Sequence, residues 1–406
     1  MCSLGIIADP QYCDIDTLED PDTSSASGHK YRQFRSDKLV TIAAKAWEEE
    51  GNIHHVLQLG DLIDSRNSKQ EHPEQAKASA VDLMRRSLRD FRPSPSPWVV
   101  HHVVGNNEVK NFTREELKLW IDPPFYHTFA PTSGWRVIVL DTYAVSTLGP
   151  YPPELETEAK QTLLENNPNF QRLNVTMSSP VSKFGYTGAS YDPSMGLCDE
   201  NNEDPRWRFV DYNGALGSVQ HQWLKDVLLL AKKDNESVIV VGHTPIHRLV
   251  SNHLDSIAWD CEMILETLNA SENVVMYMAG HDHQGGYHYD KDSGIHHVTV
   301  PSPLTARPNT GARYFIAQLM EDGVIGLKGE GFIEIDPGVG LEGGGGGDGV
   351  GDGGGGEEEG KIGSSAEGEK KDGGESENKE KKKHHLMFSM DKEVVLLKRG
   401  EIIPKI

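Results

Sequence analysis

The stretch Val56-Leu57-Gln58-Leu59-Gly60-Asp61-Leu62-Ile63-Asp64 constrains the fold more than any other part of the chain. Its apolar run reads as a buried strand, Gly60 breaks it, and Asp61 follows at once. A carboxylate then stands at the carboxyl end of a central strand, the edge where open α/β sheets bind their ligands. Taken alone, a Gly-Asp pair reads more simply as a turn whose Asp caps the next helix. The balance shifts because several other strands end in Asp, Asn, Gln or His in the same way.

Those strands alternate with helices. Residues 3–8 form a short apolar run ended by Asp9-Pro10-Gln11. The spacing of Phe34, Leu39, Ile42, Ala43, Ala46 and Trp47 predicts a helix over 31–50, closed by Gly51. A helix over 71–91 and strands over 98–104 and 136–140 follow, and Thr113 with Glu116 has the form of a capping box. Residues 149–204 are rich in Pro, Asn and Ser around one acidic helix at 154–165, which reads as a long insertion over the site edge. Further on come helices over 218–233 and 256–269, strands over 237–241 and 273–279, and four short runs between 286 and 327 expected to be antiparallel. The alternation predicts a layered α/β fold.

Residues 337–383 hold 18 of the 41 glycines among Glu, Asp and Lys, too little apolar surface to order the segment, so disorder is expected there. The apolar alternation at 386–397 is expected to return as an edge strand. The division is then one large domain over 1–336 with its insertion at 149–204, a disordered segment over 337–383, and a returning strand and tail over 384–406.

With 406 residues, 36% of them hydrophobic, the chain can bury a large core. A net charge of -22 and a pI near 5.2 argue against general binding to nucleic acid or anionic membrane. They leave room for a local, metal-filled pocket that takes a phosphorylated small molecule. Cys2, Cys13, Cys198 and Cys261 show neither pairing nor metal spacing and read as free thiols in a reducing compartment. No segment is long and apolar enough for a bilayer, and Met1 runs almost directly into a strand without the pattern of a signal peptide. A cytoplasmic monomer is expected.

The strand ends, taken together, carry the chemistry. Asp9 and Gln11 follow the first, Asp61 and Asp64 the second, Asn106 and Asn107 the third, His243 a later one, and His281 with His283 the last. Most sit one residue past a Gly, which suggests a sharp backbone turn there. Oxygen donors with imidazoles suit hard or borderline divalent metals. Two such cations, held about 3.5–4 Å apart by a shared carboxylate, clamp the oxygens of a phosphate during displacement. The pairs His54-His55, His101-His102 and His296-His297 lie within strands, where neighbours face opposite sides, and read as structural.

The blocks Ala8-Asp9-Pro10-Gln11-Tyr12, Leu59-Gly60-Asp61-Leu62-Ile63-Asp64, Gly105-Asn106-Asn107-Glu108, Val241-Gly242-His243-Thr244-Pro245 and Gly280-His281-Asp282-His283 resemble, in order and content, the calcineurin-like metallophosphoesterases. Gln11 where most members carry His, with Tyr12, the run Arg208 to Gly214 and Gly285-Gly286-Tyr287, is similar to one branch, the manganese-dependent ADP-ribose/CDP-alcohol diphosphatases. The resemblance implies a four-layer sandwich, two mixed β-sheets flanked by helices. It implies that Asp9, Gln11 and His283 hold one metal and Asn106, His243 and His281 a second. Asp61 bridges them, and Asp64 supports the ligands through hydrogen bonds. Tyr12, Asn213 and Gly286 fall in the branch blocks and are candidate substrate contacts. Tyr12, Tyr191 or Trp207 could stack on a base or ribose, and lids at 14–29 and 149–204 would select the substrate.

Two positions depart from the wider pattern. Gln11 offers a neutral amide oxygen where most relatives offer an imidazole, which favours Mn²⁺ or Mg²⁺ over Zn²⁺ at that position. Asn107 stands where the family has a His that stabilises phosphoryl oxygens or protonates the leaving group. An amide donates a hydrogen bond but cannot act as a general acid, a loss of roughly 10²–10⁴-fold where a proton is needed. A diphosphate leaves as a phosphate monoester with a second pKa of about 6 and needs that proton little.

The resulting expectation is an enzyme with two divalent ions, Mn²⁺ preferred and Mg²⁺, Zn²⁺ or iron as alternatives, and Asp61 and Asn107 among its catalytic residues. It would split ADP-ribose, CDP-choline or CDP-glycerol into a nucleoside monophosphate and a phosphorylated sugar or alcohol. Two alternatives stand beside it: a phosphodiesterase or phosphoprotein phosphatase of the same superfamily, and a metal-binding non-enzyme weakened by Asn107.

Overall fold

The computed structural model describes residues 2–13, 36–65, 73–91, 97–121, 125–148, 153–167, 170, 174–180, 205–251, 254–305, 313–330, 332–335, 386–389 and 395–403. In chain order the strands are β1 (Cys2–Ile7), β2 (Ile53–Gln58), β3 (Val99–His102), β4 (His127–Phe129), β5 (Trp135–Val139), β6 (Ser237–Val241), β7 (Val274–Ala279), β8 (Gly286–Asp290) and β9 (Ile295–Thr299). They continue with β10 (Tyr314–Leu319), β11 (Ile325–Glu330), β12 (Phe332–Ile335), β13 (Leu386–Ser389), β14 (Val395–Lys398) and β15 (Glu401–Ile403). The helices are α1 (Ser36–Glu50), α2 (Pro73–Phe91), α3 (Asn106–Asn111), α4 (Arg114–Leu117), α5 (Pro153–Asn166), α6 (Gly217–Lys233) and α7 (Cys261–Asn269).

The strands make two mixed sheets. One has the order β15-β14-β11-β10-β1-β2-β3, the other β13-β12-β8-β9-β7-β6-β5-β4. In the first, β1, β2 and β3 run parallel and β10 joins β1 antiparallel. In the second, β5, β6, β7 and β9 run parallel. Parallel strands need crossover helices, and these supply the outer layers. Trp47 of α1 and Phe91 of α2 join Val56, Val100 and Ile316 in one core on the first sheet. Leu224 and Leu228 of α6 with Ile264 and Leu268 of α7 pack on Ile138, Val238 and Val240 of the second. The alternate residues Val137, Val139, Ile239, Val241, Met276 and Met278 are buried too and face inward, so both faces of each sheet are covered. The fold is therefore the four-layer α/β sandwich.

Gly5 illustrates why the sequence packs this way. A Cβ there would lie 2.8 Å from the Trp47 ring, so only glycine lets α1 settle against β1. Trp47 in turn meets Trp98 edge-on with centroids 6.0 Å apart, a favourable aromatic geometry. Beyond the second sheet, α5 shares a smaller core with Phe170, Phe209 and Trp259.

Two expectations are corrected. Residues 256–269 do not form one helix: a short turn at Leu254–Ser256 precedes α7, which starts only at Cys261. The chain between them is held open by partners elsewhere, since Trp259 N–H donates to the Gly214 carbonyl and Asp260 Oδ2 accepts from Leu216 N–H. The later strands are not all antiparallel, because β9 pairs parallel with β7 as well as antiparallel with β8. The capping box at Thr113 and Glu116 forms as expected and opens a helix of four residues. Val395–Lys398 pairs antiparallel with β11. A compact unit comprises residues 1–335 and 387–406, and the second unit, 336–386, lies almost wholly outside the described residues, as does the stretch 14–29.

The histidines of β2 and β3 are structural. His55 Nδ1 is 3.0 Å from His101 Nε2, and His101 Nδ1 is 3.1 Å from His127 Nε2, which ties β2 and β3 of one sheet to β4 of the other. Phe129 stacks flat on His101 with centroids 3.7 Å apart. Burial, then His127 and His55, pushes His101 down to about 3. Its folded value lies below the unfolded one, so this group's contribution is whole above the unfolded value near 6.5 and is lost as pH falls below it. Replacing His101 by Phe removes that loss. The His101→Phe protein should therefore gain about 1–2 kcal/mol relative to the parent between neutral pH and about pH 5, by urea unfolding with chelator present. A constant difference across that range would refute the reading.

Candidate metal centre

The two sheets meet at the carboxyl ends of their parallel strands, and the backbone crosses between them there. His243, just after β6, places its Nδ1 2.7 Å from the Leu59 carbonyl after β2. Asp9 Oδ2, after β1, accepts the His281 N–H from the loop after β7 at 3.0 Å. Four residues in these loops adopt positive φ: Asp9 (50°), Gln11 (45°), Asp61 (54°) and His281 (67°). Such conformations cost side-chain-bearing residues about 1–3 kcal/mol each and gather where function requires them.

The glycines before the polar residues serve a different purpose from the one expected. Only Gly60 has a positive φ, 92°. Gly105 needs its lack of a side chain for space, since a Cβ would stand 2.2 Å from Asp61 Oδ1. At Gly60 the same atom would stand 2.3 Å from His243 Nδ1. Asp61 and His281 take the left-handed turn themselves, Gly60 shares it at β2, and the glycines let the polar residues crowd together.

The crowding has an internal order. Around His243 Nε2 lie Asn106 Oδ1 at 3.2 Å, His281 Nδ1 at 3.2 Å and Asp61 Oδ1 at 3.5 Å. Around His283 Nε2 lie the Gln11 amide at 2.9 Å and Asp9 Oδ1 at 3.5 Å, and the Gln11 amide is 3.1 Å from Asp61 Oδ2. Asp61 thus sends one oxygen to each group. Asp9 Oδ1 lies between them, 3.9 Å from His243 Nε2.

Tautomers follow from what the outer atoms touch. A carbonyl only accepts, so His243 carries its proton on Nδ1 and aims a lone pair from Nε2 at the cluster. The His243 lone pair therefore faces Asn106 Oδ1 and Asp61 Oδ1, both acceptors, without a proton of its own to share. Asp9 Oδ1 is buried with no hydrogen-bond partner among the described residues. Burial and the facing Asp9 carboxylate push Asp61 up to about 8. For His283, burial opposes the charged ring, but Asp9 and then Asp61 outweigh it and the net direction is up. Burial, His243 and His283 drive His281 well down. Cationic charge placed among the donors relieves the repulsion between Asp9 and Asp61. Asp9, Asp61 and His243 offer ligand atoms all within 4.8 Å of one another. The donor set fits divalent cations on oxygen and imidazole. Gln11 points its Nε2 at Asp61, and a half turn of the terminal amide exchanges Oε1 for it.

Glu108 was not singled out from the sequence, yet it shapes the site. Its carboxylate accepts N–H groups from Asp61 at 2.8 Å, Leu62 at 2.7 Å and Gly105 at 2.9 Å. It thereby holds the Asp61 turn to the start of α3. Burial and Asp61 push it up to about 7, against the pull of those amides. Its place three residues after Gly105, the capping-box position, was the available signal. Asn111 adds a second tie, its Nδ2 donating to the carbonyls of Asp64 and Asn107. Asp64 is buried beside the cluster. Asn107 donates its N–H to Asp61 Oδ1 at 2.9 Å and accepts from Asn106 Nδ2 at 3.1 Å.

The three candidate substrate contacts are not open to a substrate. Tyr12 is 3% exposed, lies in the core on the first sheet and donates its hydroxyl to Asp90. Asn213 is fully buried with its amide engaged on every side. Gly286 is a close-approach glycine, where a Cβ would meet the Val250 carbonyl at 2.5 Å. Trp207 is half-buried, and Tyr191 lies outside the described residues.

The family model for calcineurin-like phosphoesterases matches residues 3–285. That span carries all five blocks, and the chain belongs to the calcineurin-like phosphoesterase family. A crystal structure of a dimetal phosphatase from Danio rerio is 28% identical, covers 81% of this chain and 96% of its own, and superposes with a TM-score of 0.63. Within the family the chain is similar to proteins named manganese-dependent ADP-ribose/CDP-alcohol diphosphatase. The one from Arabidopsis thaliana is 32% identical over 76% of this chain and 88% of its own length. The Danio rerio protein is 31% identical over 82% and 96%, and the Homo sapiens protein 29% identical over 76% and 85%.

Glu108→Gln tests the scaffold. One amide end would present N–H to N–H, leaving buried donors unmatched at about 1–3 kcal/mol. Urea unfolding should show a loss of that size, and a loss below about 0.5 kcal/mol would contradict the role given to Glu108.

Proposed function

We propose that this chain is a manganese-dependent hydrolase of nucleoside diphosphate-linked compounds, cleaving ADP-ribose, CDP-choline or CDP-glycerol between the two phosphorus atoms. The products are a nucleoside monophosphate and a phosphorylated sugar or alcohol. The observation that carries the reading is the buried cluster of lone pairs in two groups that share Asp61, in a chain whose curated relatives are named for this activity. In this reading Asp9, Gln11 and His283 would hold one cation and Asn106, His243 and His281 the other, with Asp61 shared by the two groups.

When bound, two such cations lower the pKa of a water and stabilise charge on phosphoryl oxygens. The chain's own residues do the rest. Asp9 and Asp61 supply the negative charge that keeps cations in the cluster. His243, with its proton fixed on Nδ1 by Leu59, keeps Nε2 free for the cluster. Glu108 holds the Asp61 turn, so that the carboxylate does not reorganise as charge moves. Asn107 sits beside Asp61 at the start of α3 and offers an amide hydrogen bond where a substrate phosphoryl oxygen would lie. It supplies no proton, and the phosphate monoester leaving group needs little help. The setting proposed with this activity is a monomer in the cytoplasm acting on small molecules, without nucleic-acid or membrane partners. The net charge of -22 and the thiols of Cys2, Cys13 and Cys261 favour it.

Purified protein with Mn²⁺ is assayed on ADP-ribose, CDP-choline and a simple phosphomonoester. Turnover of the diphosphates alone is expected. Turnover of a bis-ester only would favour a phosphodiesterase, and two bound metals with no turnover would favour a binding protein. Asn107→His should raise monoester hydrolysis at least about tenfold and leave diphosphate turnover nearly level. If both rates stay unchanged, the account of Asn107 fails.

A further inference from the structure

Asn213 is placed to set the state of a ring it touches. Its Nδ2 donates to three backbone carbonyls, those of Arg208 at 2.9 Å, Asp255 at 2.7 Å and Ile257 at 2.9 Å. Carbonyls accept and do not donate, so the amide can stand only one way round, with Oδ1 on the opposite side. That Oδ1 lies 2.9 Å from His281 Nε2. An amide oxygen also only accepts, so the proton of His281 must be on Nε2. Nδ1 then carries the lone pair, and Nδ1 is the atom 3.2 Å from His243 Nε2 inside the cluster. One buried amide, fixed by three carbonyls, thus dictates which nitrogen of His281 faces the site.

The neighbours reinforce this. Asn213 is fully buried, so water does not compete for Oδ1. The carbonyls that fix it come from the 3-10 turn at Pro205–Arg208 and from the segment around Leu254–Ser256. Tyr212, beside it, packs its ring 6.0 Å from the His281 ring, and its hydroxyl is anchored on Asp255 at 2.5 Å. His243 receives the mirror treatment from the Leu59 carbonyl, where Nδ1 is the outer atom and Nε2 the inner one. Two rings thus present opposite nitrogens to the same cluster, each set by an acceptor-only oxygen outside it.

We propose that Asn213 is the positioning residue for one cation of the pair: it locks His281 in the Nε2–H tautomer, so that Nδ1 stays available as a ligand. The inference rests on the two-cation reading of the site. A ligand imidazole whose outer N–H loses its partner typically costs 10–100-fold in metal affinity. The loss should fall on the cation group of His281, His243 and Asn106 and spare that of Asp9, Gln11 and His283.

The test is Mn²⁺ binding to the full chain, by calorimetry and by electron paramagnetic resonance of free Mn²⁺, on parent, Asn213→Ala and Asn213→Asp. The parent is expected to bind two ions. Asn213→Ala should keep one at parental affinity and bind the other about 10–100-fold more weakly. Asn213→Asp keeps an oxygen toward His281 but loses the N–H groups that fix the loop. It should melt lower than the parent without metal, yet recover most of the weakened affinity. A parent that binds no Mn²⁺ would sink the two-cation reading itself. A parent that binds two, with Asn213→Ala unchanged within about twofold, would overturn the role of Asn213 alone. Equal loss of both ions in both variants would also overturn it, since that marks a general loosening of the loop. If Asn213→Ala does not fold, the comparison of parent and Asn213→Asp still decides: a tenfold loss of one ion in the Asp variant contradicts the proposal.

Discussion

Two buried carboxylates, Asp9 and Asp61, face each other at the meeting of the two sheets, and nearly every local feature of that edge answers to them. Like charges out of water repel strongly, and the immediate sign is the upward push on Asp61. The chain tolerates the arrangement by surrounding it with a framework that cannot relax. Glu108 pins the Asp61 turn through three backbone amides. The Leu59 carbonyl and Asn213 orient the two imidazoles. Four residues are held at positive φ. A framework this determined around an unfavourable charge is what a cation site requires, because the stabilisation lost in the empty protein is returned when cations bind.

The same constraint explains which glycines are needed. Gly60 and Gly105 are where the backbones of the loops after β2 and β3 pass closest to ligand side chains. Expecting every such glycine to be a turn residue was a reasonable inference from Gly-polar spacing. The structure shows that dense packing of donors, as much as chain reversal, selects them.

Much of the architecture was legible in the sequence because its elements obey simple periodicities. The apolar runs at β2, β6 and β7 and the amphipathic spacing of α1 and α6 are local signals, and local signals survive without tertiary information. The residues that gather at the cluster were legible for the same reason: each follows a strand, and parallel strands bring their carboxyl ends to one edge. What failed depended on contacts between distant segments. The helix expected over 256–269 is broken because Asn213, Gly214 and Leu216 claim hydrogen bonds from the Asp255–Asp260 stretch. Tyr12 was a candidate for stacking because it stands beside Gln11, but Asp90 and the core on the first sheet take it inward. The motif around Asn213 suggests a substrate contact, whereas three carbonyls fix its amide with Oδ1 on His281. Glu108 went unassigned because a carboxylate that serves backbone amides looks, in sequence, like any exposed helical Glu.

The bond from His243 to the Leu59 carbonyl joins residues 184 positions apart, and that from His281 to Asp9 spans 272. Contacts so far apart in sequence are costly to close and form late. Neither half of the chain holds the whole donor set: the first sheet brings Asp9, Gln11, Asp61 and Asn106, the second His243, His281 and His283. During folding, then, high-affinity cation capture reports completion. A chain stalled with one sheet formed holds at most four of the seven donors, so the complete set exists only in the finished sandwich.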